Sequence, residues 1–403
     1  MKLYLFNPDA DLALANHTED YIPPTSVRQM AADLALLPIW YADAESIVLT
    51  AENEYVKSYF HAMKELFTLP IDLVTPSDLS FLTSITSIEP WGWNLAQRKS
   101  LLKYGIEKNI LPSIEDIQGY RKLSSKATSI SVLDAFSGFS NCCGEASLLT
   151  TLEECRVYSS DKIDCLFKSP WSSSGKGLWW CQHGYDEATN NWCRRILKEQ
   201  GGVLASPIYE VCQDFAMEFY SDGCGCLSFV GYSLFETSHK GAYLGNTLLA
   251  DDDIKQIIER YFYPGFLNAV CKHLTEQLKT LYGTSYIGYL GVDMMVCKES
   301  QKESFVLHPC VEVNLRMNMG LLSHYFTKHF LAPGVKATFS ITYHSQSQKL
   351  KEMVDEYSRK HPIVVENGKL KCGFLPLTPI TSQSHYLASV VTNHENLDSE
   401  IAL

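Results

Sequence analysis

The chain has 403 residues, which is long enough for two or three domains around a large buried core. Its net charge of −12 gives no support for a nucleic-acid or anionic-membrane surface, and no stretch approaches the ~20 apolar residues of a membrane helix. Thirteen scattered cysteines lack the paired spacing of a zinc site, and the apolar run at the N-terminus is too short for a signal peptide. We therefore predict a cytoplasmic globular protein with reduced thiols and without a nucleic-acid or membrane partner.

The first part of the chain alternates strands with helices. Short apolar runs predict buried strands at 3–6, 46–50 and 71–74. We expect a helix over 26–37, capped by Thr25 or Ser26, and a second helix over 96–104 that ends at Gly105. This alternation predicts a parallel α/β sheet.

After a mainly helical stretch over 114–136, with a break near Gly119, the pattern changes. From Asp164 onwards, apolar runs separated by short turns favour an antiparallel sheet. Further strands are predicted at 203–209, 214–220 and 227–235. Later helices are predicted over 252–281, interrupted at Pro264–Gly265, and over 320–330 and 347–360.

A serine- and glycine-rich loop lies between two predicted strands. Small residues let backbone N–H groups approach an anion closely, and the serine hydroxyls add donors. The loop residues are Ser172, Ser173, Ser174, Gly175, Lys176 and Gly177. It is not a Walker loop, because Pro170 stands at the first glycine position and Gly177 where serine or threonine would follow the lysine. Either it is a flap over phosphates, with Lys168 at the end of the preceding strand reaching them, or it is a flexible surface hairpin.

The segment 305–318 has two chemically different faces if it is extended. One face is apolar. The other carries His308, Cys310, Glu312, Asn314, Arg316 and Asn318. The apolar run 289–296 contains one acid, Asp293, and a turn centred near Gln301 would place it opposite positions close to Pro309, within a residue or two of Glu312. Oxygen ligands beside an arginine suit a divalent cation and the phosphates it bridges.

Over about residues 115–330, the order of these motifs resembles the ATP-grasp superfamily: a strand lysine, a Ser/Gly flap, a hinge strand, an aspartate strand and a Glu-x-Asn-x-Arg strand. Residues 1–110 are similar in pattern to the small α/β domain that precedes this fold. The resemblance implies an N-terminal α/β domain over 1–112, a lid subdomain over 113–205 and a large subdomain over 206–335. Both subdomains are α+β, with ATP between them, and a C-terminal segment over 336–403 packs on the core.

The resemblance also implies roles for individual residues. Asp293, Glu312 and Asn314 would bind two Mg²⁺ ions, with Mn²⁺ as a substitute, and Arg316 would neutralise charge on the transferred phosphoryl group. The expected nucleotide ligands are Lys168, the flap Ser172–Gly177, Asp214 for the ribose, the backbone of Tyr209 and Glu210 for the adenine, and Lys126, with Lys122 as the competing lysine. One departure from the family is Leu315, where proline is frequent before the arginine.

Several further residues are candidates for the substrate side. Lys240, in a glycine-bearing loop, is expected to contact the γ-phosphate or the acceptor carboxylate, with a solvated turn as the alternative, and Asn318 is expected to face the substrate. The residues after the first strand are weighed against turn and cap roles; they are Asn7, Asp9, Asp11 and Arg28. We expect Trp91 and Trp93 to pack between domains and His308 to be a structural histidine with its hydrogen bonds satisfied.

Taken together, the motifs predict a ligase that uses ATP and Mg²⁺. It would activate a small-molecule carboxylate as an acyl phosphate for attack by an amine or a thiol, with an amino acid or a peptide among the candidate substrates. Two alternatives remain: a catalytically silent ATP-binding protein of the same fold, and a small-molecule phosphotransferase. The chain has no His-Arg-Asp or Asp-Phe-Gly kinase motif, which disfavours the second alternative.

Overall fold

A computed structural model describes residues 1–162, 164–172, 175, 177–299 and 304–392 of the chain. These residues form a parallel N-terminal sheet, a small antiparallel sheet and a large antiparallel sheet, with helices packed on them. The predicted combination of α/β and α+β architecture is confirmed. Three predicted flap residues, Ser173, Ser174 and Lys176, and the predicted turn at Gln301 lie outside the described residues.

The N-terminal sheet is parallel throughout, in the order β3-β2-β1-β4. Its elements are β1 (Lys2–Leu5), α1 (Ala10–Asn16), α2 (Thr25–Asp33), β2 (Ser46–Leu49), α3 (Glu54–Phe67), β3 (Ile71–Val74), α4 (Pro76–Leu79), β4 (Ser87–Pro90) and α5 (Leu95–Lys103). The sequence reasoning missed β4, because Glu89 and Pro90 interrupt its apolar pattern. The expected cap of α2 is wrong: Pro24 occupies the cap position, and no side chain caps the helix.

The small sheet is antiparallel, in the order β5-β8-β6-β7. Its elements and the helices around it are α6 (Ile114–Leu123), α7 (Thr128–Ala135), β5 (Ser147–Leu149), α8 (Leu152–Asp161), β6 (Cys165–Lys168), β7 (Leu178–Cys181), α9 (Glu187–Gln200) and β8 (Val203–Pro207). The predicted helix break at Gly119 is wrong, because α6 continues through it. The break falls around Lys126, whose backbone N–H donates to the Pro170 carbonyl (2.9 Å) instead of to a preceding helical turn.

The large sheet has the order β13-β12-β9-β10-β11-β14-β18-β17 over the described residues, and each neighbouring pair is antiparallel. The remaining elements are β9 (Val211–Asp222), β10 (Leu227–Thr237), β11 (Tyr243–Leu248), α10 (Asp251–Glu259), α11 (Phe266–Tyr282), β12 (Ile287–Lys298), β13 (Phe305–Asn314), α12 (Met319–Phe330), β14 (Ala337–Tyr343), α13 (Ser347–Lys360), β15 (Val364–Glu366), β16 (Lys369–Cys372), β17 (Phe374–Pro376) and β18 (Tyr386–Thr392). Of the C-terminal strands, β14, β17 and β18 thus extend the same sheet, whereas β15 and β16 pair with each other in a separate two-stranded antiparallel sheet.

Alternation along β9 separates a buried face from a polar face. Phe215, Met217 and Phe219 are fully buried in a core with α11, and each contributes roughly 1.5–3 kcal/mol of apolar burial. Asp214 and Glu218, which alternate with these residues along the strand, therefore point to the opposite side of the sheet. A second core joins the N-terminal sheet, α12 and β18, so the N-terminal part is packed firmly beside this polar face.

Among the helices in the described ranges, none combines the length and the apolar composition needed to cross a membrane.

Candidate functional site

Two acids face each other across the β12–β13 hairpin. Asp293 pairs directly with Glu312, and Gly291 pairs with Asn314, whose amide nitrogen donates to the Asp293 carboxylate (3.0 Å). The sequence predicts a partner close to Pro309, within a residue or two of Glu312, and the structure pairs Asp293 with Glu312 itself. A bulge between Asp293 and Met295 shifts the register, and proline has no N–H to continue the ladder there. The bulge thus brings the second acid opposite the first.

Lys126 forms an ion pair with Glu312. Burial, and next the nearby Lys168 ammonium, lower the pKa of Lys126 to about 8, although Asp11 and Asp293 oppose this change. The competing lysine from the sequence, Lys122, is exposed. The structure therefore brings Lys126, and not Lys122, to the acidic strands.

Lys168 lies at the end of β6 and is buried beside the same cluster. Burial lowers its pKa to about 8, while Cys310 and Asp293 favour the charged form. Within the described part of the chain, its ammonium has no hydrogen-bond or ion-pair partner. A buried ammonium without a partner is costly, so this position suits a group that meets an anionic ligand.

The loop after Lys168 folds back on itself and contacts a second loop. Both the backbone N–H (2.8 Å) and the hydroxyl (3.2 Å) of Ser169 donate to the Gly177 carbonyl. Gly175 has a φ of +73°, and a Cβ there would lie 2.8 Å from the Gly241 carbonyl oxygen. The tip of the loop therefore rests on the β10–β11 connection. Lys240, in that connection, is exposed, and its side chain has no hydrogen-bond or ion-pair partner among the described residues, so the structure does not bring it into the cluster.

The predicted hinge residues lie next to the cluster. The Tyr209 hydroxyl accepts from the Glu145 N–H (3.0 Å), and the Glu210 carbonyl accepts from the Lys298 N–H (2.9 Å) while its side chain is exposed. Asp214 shares a face with Asp293 and accepts from the Thr237 hydroxyl (2.8 Å). Burial raises the pKa of Asp214 above its usual value.

His308 packs edge-on against Tyr209, with ring centroids 5.1 Å apart. Burial and the Lys168 ammonium lower its pKa to about 3, so the ring is neutral at physiological pH. Its Nδ1 is buried and has no partner in the described residues. The expectation of a histidine with satisfied hydrogen bonds is therefore wrong.

Arg316 joins the cluster to the N-terminal sheet. Its Nε (3.0 Å) and one terminal nitrogen (2.8 Å) contact one carboxylate oxygen of Asp11, and that terminal nitrogen also donates to the Asn314 amide oxygen (3.0 Å). Its other terminal nitrogen donates to the Met317 carbonyl (3.1 Å). Burial opposes the charge of Arg316, but Asp11 outweighs it and raises the pKa. Of the residues predicted after the first strand, Asp11 is thus the one that contacts the cluster directly.

The other candidates after the first strand lie elsewhere. Asn7 is buried and exchanges hydrogen bonds with the backbone of Gly92, at 2.7 and 3.3 Å. Arg28 is exposed and contacts Thr25 (3.3 Å). Asp9 is half-buried beside α1, and burial raises the pKa of its carboxyl group.

Asn318 does not present a free amide to a substrate, which corrects the prediction. Its side-chain oxygen caps α12 by accepting from the Leu321 N–H (2.8 Å), and its nitrogen donates to Glu218 (2.8 Å). The same carboxyl group accepts from the Ser233 hydroxyl (3.1 Å). Both ends of the Asn318 amide are therefore used inside the protein.

Sequence reasoning missed Glu218, although a signal was available. Asp214 and Glu218 are two acids at even spacing along an otherwise apolar strand, which places both on one face. Glu218 is buried, and burial, with a smaller effect of Asp293, raises its pKa to about 8. The carboxyl group is thus mostly protonated at neutral pH.

We expect Glu218→Gln to be tolerated at pH 7 and to flatten the pH dependence of stability. Because the folded pKa lies above the unfolded one, Glu218 lowers the free energy of unfolding as pH rises from about 4.5 to about 8. A glutamine oxygen can accept from the Asn318 amide, and its NH2 group can donate to the Ser233 hydroxyl, which reverses that bond. Because glutamine cannot ionise, the variant should exceed the wild type in stability above pH 8, on the order of a few kcal/mol. Urea titrations from pH 5 to 9 measure this, and a variant with an unchanged slope would contradict it.

The arrangement of the sheets identifies the fold of the described residues. A parallel α/β domain precedes two sheets of the ATP-grasp fold, and the chain has this fold over the described residues. The acidic strands, the buried lysines and Gly175 lie where the two antiparallel sheets meet.

Particular solved structures share this fold. The chain is similar to N5-carboxyaminoimidazole synthetase from Staphylococcus aureus complexed with ADP, with 10% identity and a TM-score of 0.50 over 98% of this chain and 93% of that one. It is similar to biotin carboxylase from Campylobacter jejuni in a β-γ-ATP complex, with 12% identity and a TM-score of 0.50 over 97% and 87% of the two chains. It is also similar to the biotin carboxylase domain of Hydrogenobacter thermophilus 2-oxoglutarate carboxylase with MgADP and bicarbonate, with 11% identity and a TM-score of 0.50 over 97% of this chain and 86% of that one. No family model and no curated protein sequence matches the chain.

Proposed function

We propose that the chain is an ATP- and Mg²⁺-dependent ligase that activates a substrate carboxylate as an acyl phosphate for attack by an amine or a thiol. The observation that carries this proposal is the convergence of five charged side chains. Asp293 and Glu312 are directly opposed, and Lys126, Lys168 and Arg316 surround them. Positive and negative side chains thus alternate in one partly buried site, which suits a triphosphate and its counter-ions.

The donor set fits a magnesium ion. Asp293, Glu312 and Asn314 carry oxygen atoms on adjacent strands, and Mg²⁺ typically binds one or two carboxylates and completes its shell with phosphates and water. The described residues contain no group of three or more His, Cys, Asp or Glu side chains that could hold a metal ion by themselves. When bound, one or two Mg²⁺ ions, with Mn²⁺ as a substitute, would supply charge neutralisation at the phosphates.

The protein's own groups occupy these oxygens in the structure. Lys126 holds Glu312, and the Asn314 amide donates to Asp293. Burial raises the pKa of Asp293 to about 6, and Lys126 and Asn314 limit that rise. We propose that Lys126 leaves Glu312 when nucleotide binds and moves its charge to a phosphate.

The remaining nucleotide ligands follow the sequence prediction. Lys168 would meet the α- or β-phosphate, and the flap Ser172–Gly177 would cover the triphosphate. The Tyr209–Glu210 backbone would contact the adenine, with one lone pair of the Glu210 carbonyl still available beside its bond to Lys298. Asp214 would bind the ribose. The similar structures crystallised with ADP, β-γ-ATP and MgADP support this assignment.

Arg316 would act in the chemical steps. A carboxylate oxygen of the substrate attacks the γ-phosphorus and ADP leaves; the amine or thiol then attacks the acyl carbon and phosphate leaves. Negative charge develops on phosphoryl oxygens in the first step, and a guanidinium held by Asp11 and Asn314 is already in place to stabilise it. We further propose the domain boundaries that the sequence predicts: an N-terminal domain over 1–112, a lid subdomain over 113–205, a large subdomain over 206–335 and a C-terminal segment over 336–403.

An alternative is a catalytically silent ATP-binding protein. The Lys126–Glu312 ion pair favours it, because a permanent pair would exclude a metal from Glu312. The test incubates the protein with Mg-ATP and pools of amino acids, dipeptides and small carboxylates, and measures ADP and condensed products by mass spectrometry. We expect ADP release that needs both Mg²⁺ and a substrate. Tight ATP binding without ADP release across the panel would support the silent protein, and a phosphorylated product without condensation would support a phosphotransferase.

We expect Gly175→Ala to uncouple ADP release from product formation. The left-handed backbone costs an alanine about 1 kcal/mol, and its Cβ would collide with the Gly241 carbonyl. The flap then closes poorly, water reaches the acyl phosphate, and the ratio of ADP to condensed product should rise about tenfold. Gly119→Ala is the control, because nothing lies within 4 Å of that site in α6, and it should leave the ratio unchanged. A variant as tightly coupled as the wild type would show that the flap does not exclude water.

A further inference from the structure

A cavity lies between the N-terminal sheet and the start of β12, apart from the two acids. It is a small cavity that is partly open to solvent. Its walls are mainly aromatic, and they include Tyr4, Tyr41, Trp91, Trp93 and Tyr289. The sequence assigns the two tryptophans to packing between domains. Trp91 shares a core with Met317 and Leu321 of the large sheet region, whereas Trp93 packs on the core of the N-terminal sheet. Both rings also line the cavity.

One acid lines this aromatic cavity. Glu89, in β4, pairs with Tyr4 of β1, which places both side chains on the face of the sheet that points to the cavity. No cation of the described residues lies within ion-pair distance of its carboxylate. The nearest basic group that influences it, Lys2, is already held by Asp43 at 2.6 Å. Burial raises the pKa of Glu89, while Lys2 and a hydrogen bond from Ser87 oppose that rise, so the cavity contains a carboxyl group without an ion-pair partner among the described residues.

A second polar group in the wall is also without a partner. Tyr41 is 8% exposed, and its hydroxyl has no hydrogen-bond partner in the described part of the chain. A buried hydroxyl without a partner destabilises the fold. A ligand with N–H donors would satisfy both the hydroxyl oxygen and the carboxylate.

The chemistry of the walls selects the ligand. Aromatic rings attract cations over their faces, and a partly buried carboxylate repels anions. We propose that this cavity is a binding site for a protonated organic amine, whose ammonium group contacts Glu89 and Tyr41 and whose alkyl part packs on the rings. The site goes beyond the proposed ligase activity, since it uses neither the acidic strands nor the buried lysines.

The cavity nevertheless adjoins the cluster. Met317 lines it, its backbone N–H donates to the Trp91 carbonyl (2.9 Å), and its own carbonyl accepts from Arg316. Met317 would therefore separate an amine in this cavity from the Arg316 side chain. Because the cavity does not use the proposed nucleotide ligands, binding of the amine can be measured without nucleotide.

The test is saturation-transfer NMR and calorimetry with n-butylammonium at pH 7 and 150 mM NaCl, where non-specific attraction to the net charge of −12 is screened. We expect saturable binding of n-butylammonium, at least tenfold weaker binding of tetramethylammonium, which has no N–H donor, and no binding of butyrate or butan-1-ol at the same concentrations. Equal binding of butyrate, or no saturable signal from n-butylammonium, would overturn the proposal.

Two variants make the assignment specific. Glu89→Gln keeps the shape but removes the charge and should weaken n-butylammonium binding at least tenfold, and Tyr41→Phe removes the hydroxyl alone and should weaken it about threefold. Neither residue belongs to the proposed nucleotide site, so the rise in melting temperature on adding Mg-ATP should be unchanged in both. Wild-type affinity in both variants would refute the site, even where ATP binding and turnover are intact. Loss of the ATP response in wild-type protein that still binds n-butylammonium would refute only the proposed ligase.

Discussion

Glu312→Gln is expected to lower Mg²⁺-dependent ATP turnover by more than about 100-fold. The substitution removes the charge that faces Asp293 across the hairpin, while the amide keeps nearly the same size. Asp293→Asn should have a similar effect, because the two carboxylates are proposed to share the cation. Steady-state ADP release with saturating Mg-ATP measures both variants.

Loss of activity must be separated from loss of structure. Glu312→Gln leaves Lys126 without its ion-pair partner, and breaking a fully buried pair typically costs roughly 3–5 kcal/mol. The Glu312 side chain is 24% exposed, so we expect a smaller loss, about 2 kcal/mol in a urea titration. Glu236→Gln, at an exposed position of β10, is the matched control and should change neither quantity. Substantial turnover by folded Glu312→Gln protein would count strongly against the metal assignment.

Lys168→Met should weaken ATP binding and, in the same protein, stabilise the ligand-free fold. The ammonium is buried beside the cluster, and burial lowers its pKa from 10.5 to about 8. Because the pKa of Lys168 is lower in the folded state than in the unfolded state, the buried ammonium lowers the free energy of unfolding by its full amount below pH 8. The free energy of unfolding then rises as pH increases from about 8 to about 10.5. Methionine removes that cost at pH 7, which we place at roughly 2–3 kcal/mol.

Although Lys168→Met should raise the stability of the ligand-free protein, it should lower the affinity for ATP. A charge-assisted contact to phosphate contributes about 2 kcal/mol, so we expect Kd to rise about thirtyfold. Calorimetric titration with Mg-ATP and thermal unfolding without ligand give the two quantities. Lys122→Met, at an exposed position before the break in the helices, is the control and should leave both unchanged. A variant that is less stable and binds ATP normally would show that Lys168 supports the fold and not the nucleotide.

The sequence predicted local features well where one strong pattern was sufficient. The strand at 71–74, the helix at 347–360 and the interruption at Pro264–Gly265 all appear in the structure. It failed where a contact distant in sequence decided the outcome. The helix break lies at Lys126 because its N–H bonds to Pro170, 44 positions later in the chain, and no nearby residue signals this.

In the candidate site, too, local patterns predicted some features, while contacts distant in sequence decided the others. Alternation in 305–318 was sufficient to place Glu312 and Asn314 on a polar face, but the exact partner of Asp293 depended on a bulge beside Pro309. Cys310, assigned to that polar face, is instead fully buried in the core, because the bulge changes the alternation. Asn318 looked free in the sequence because its partner Glu218 lies 100 positions earlier in the chain.

The sequence by itself determined the order of most elements and the oxygen-rich strand, since side-chain alternation and turn chemistry act over a few residues. Only the tertiary structure decided which charges meet. Asp11 reaches Arg316 across 305 positions, and Lys126 reaches Glu312 across 186. Such pairs form because packed sheets bring distant segments together, and their ion pairs and altered pKa values depend on burial that no local pattern encodes.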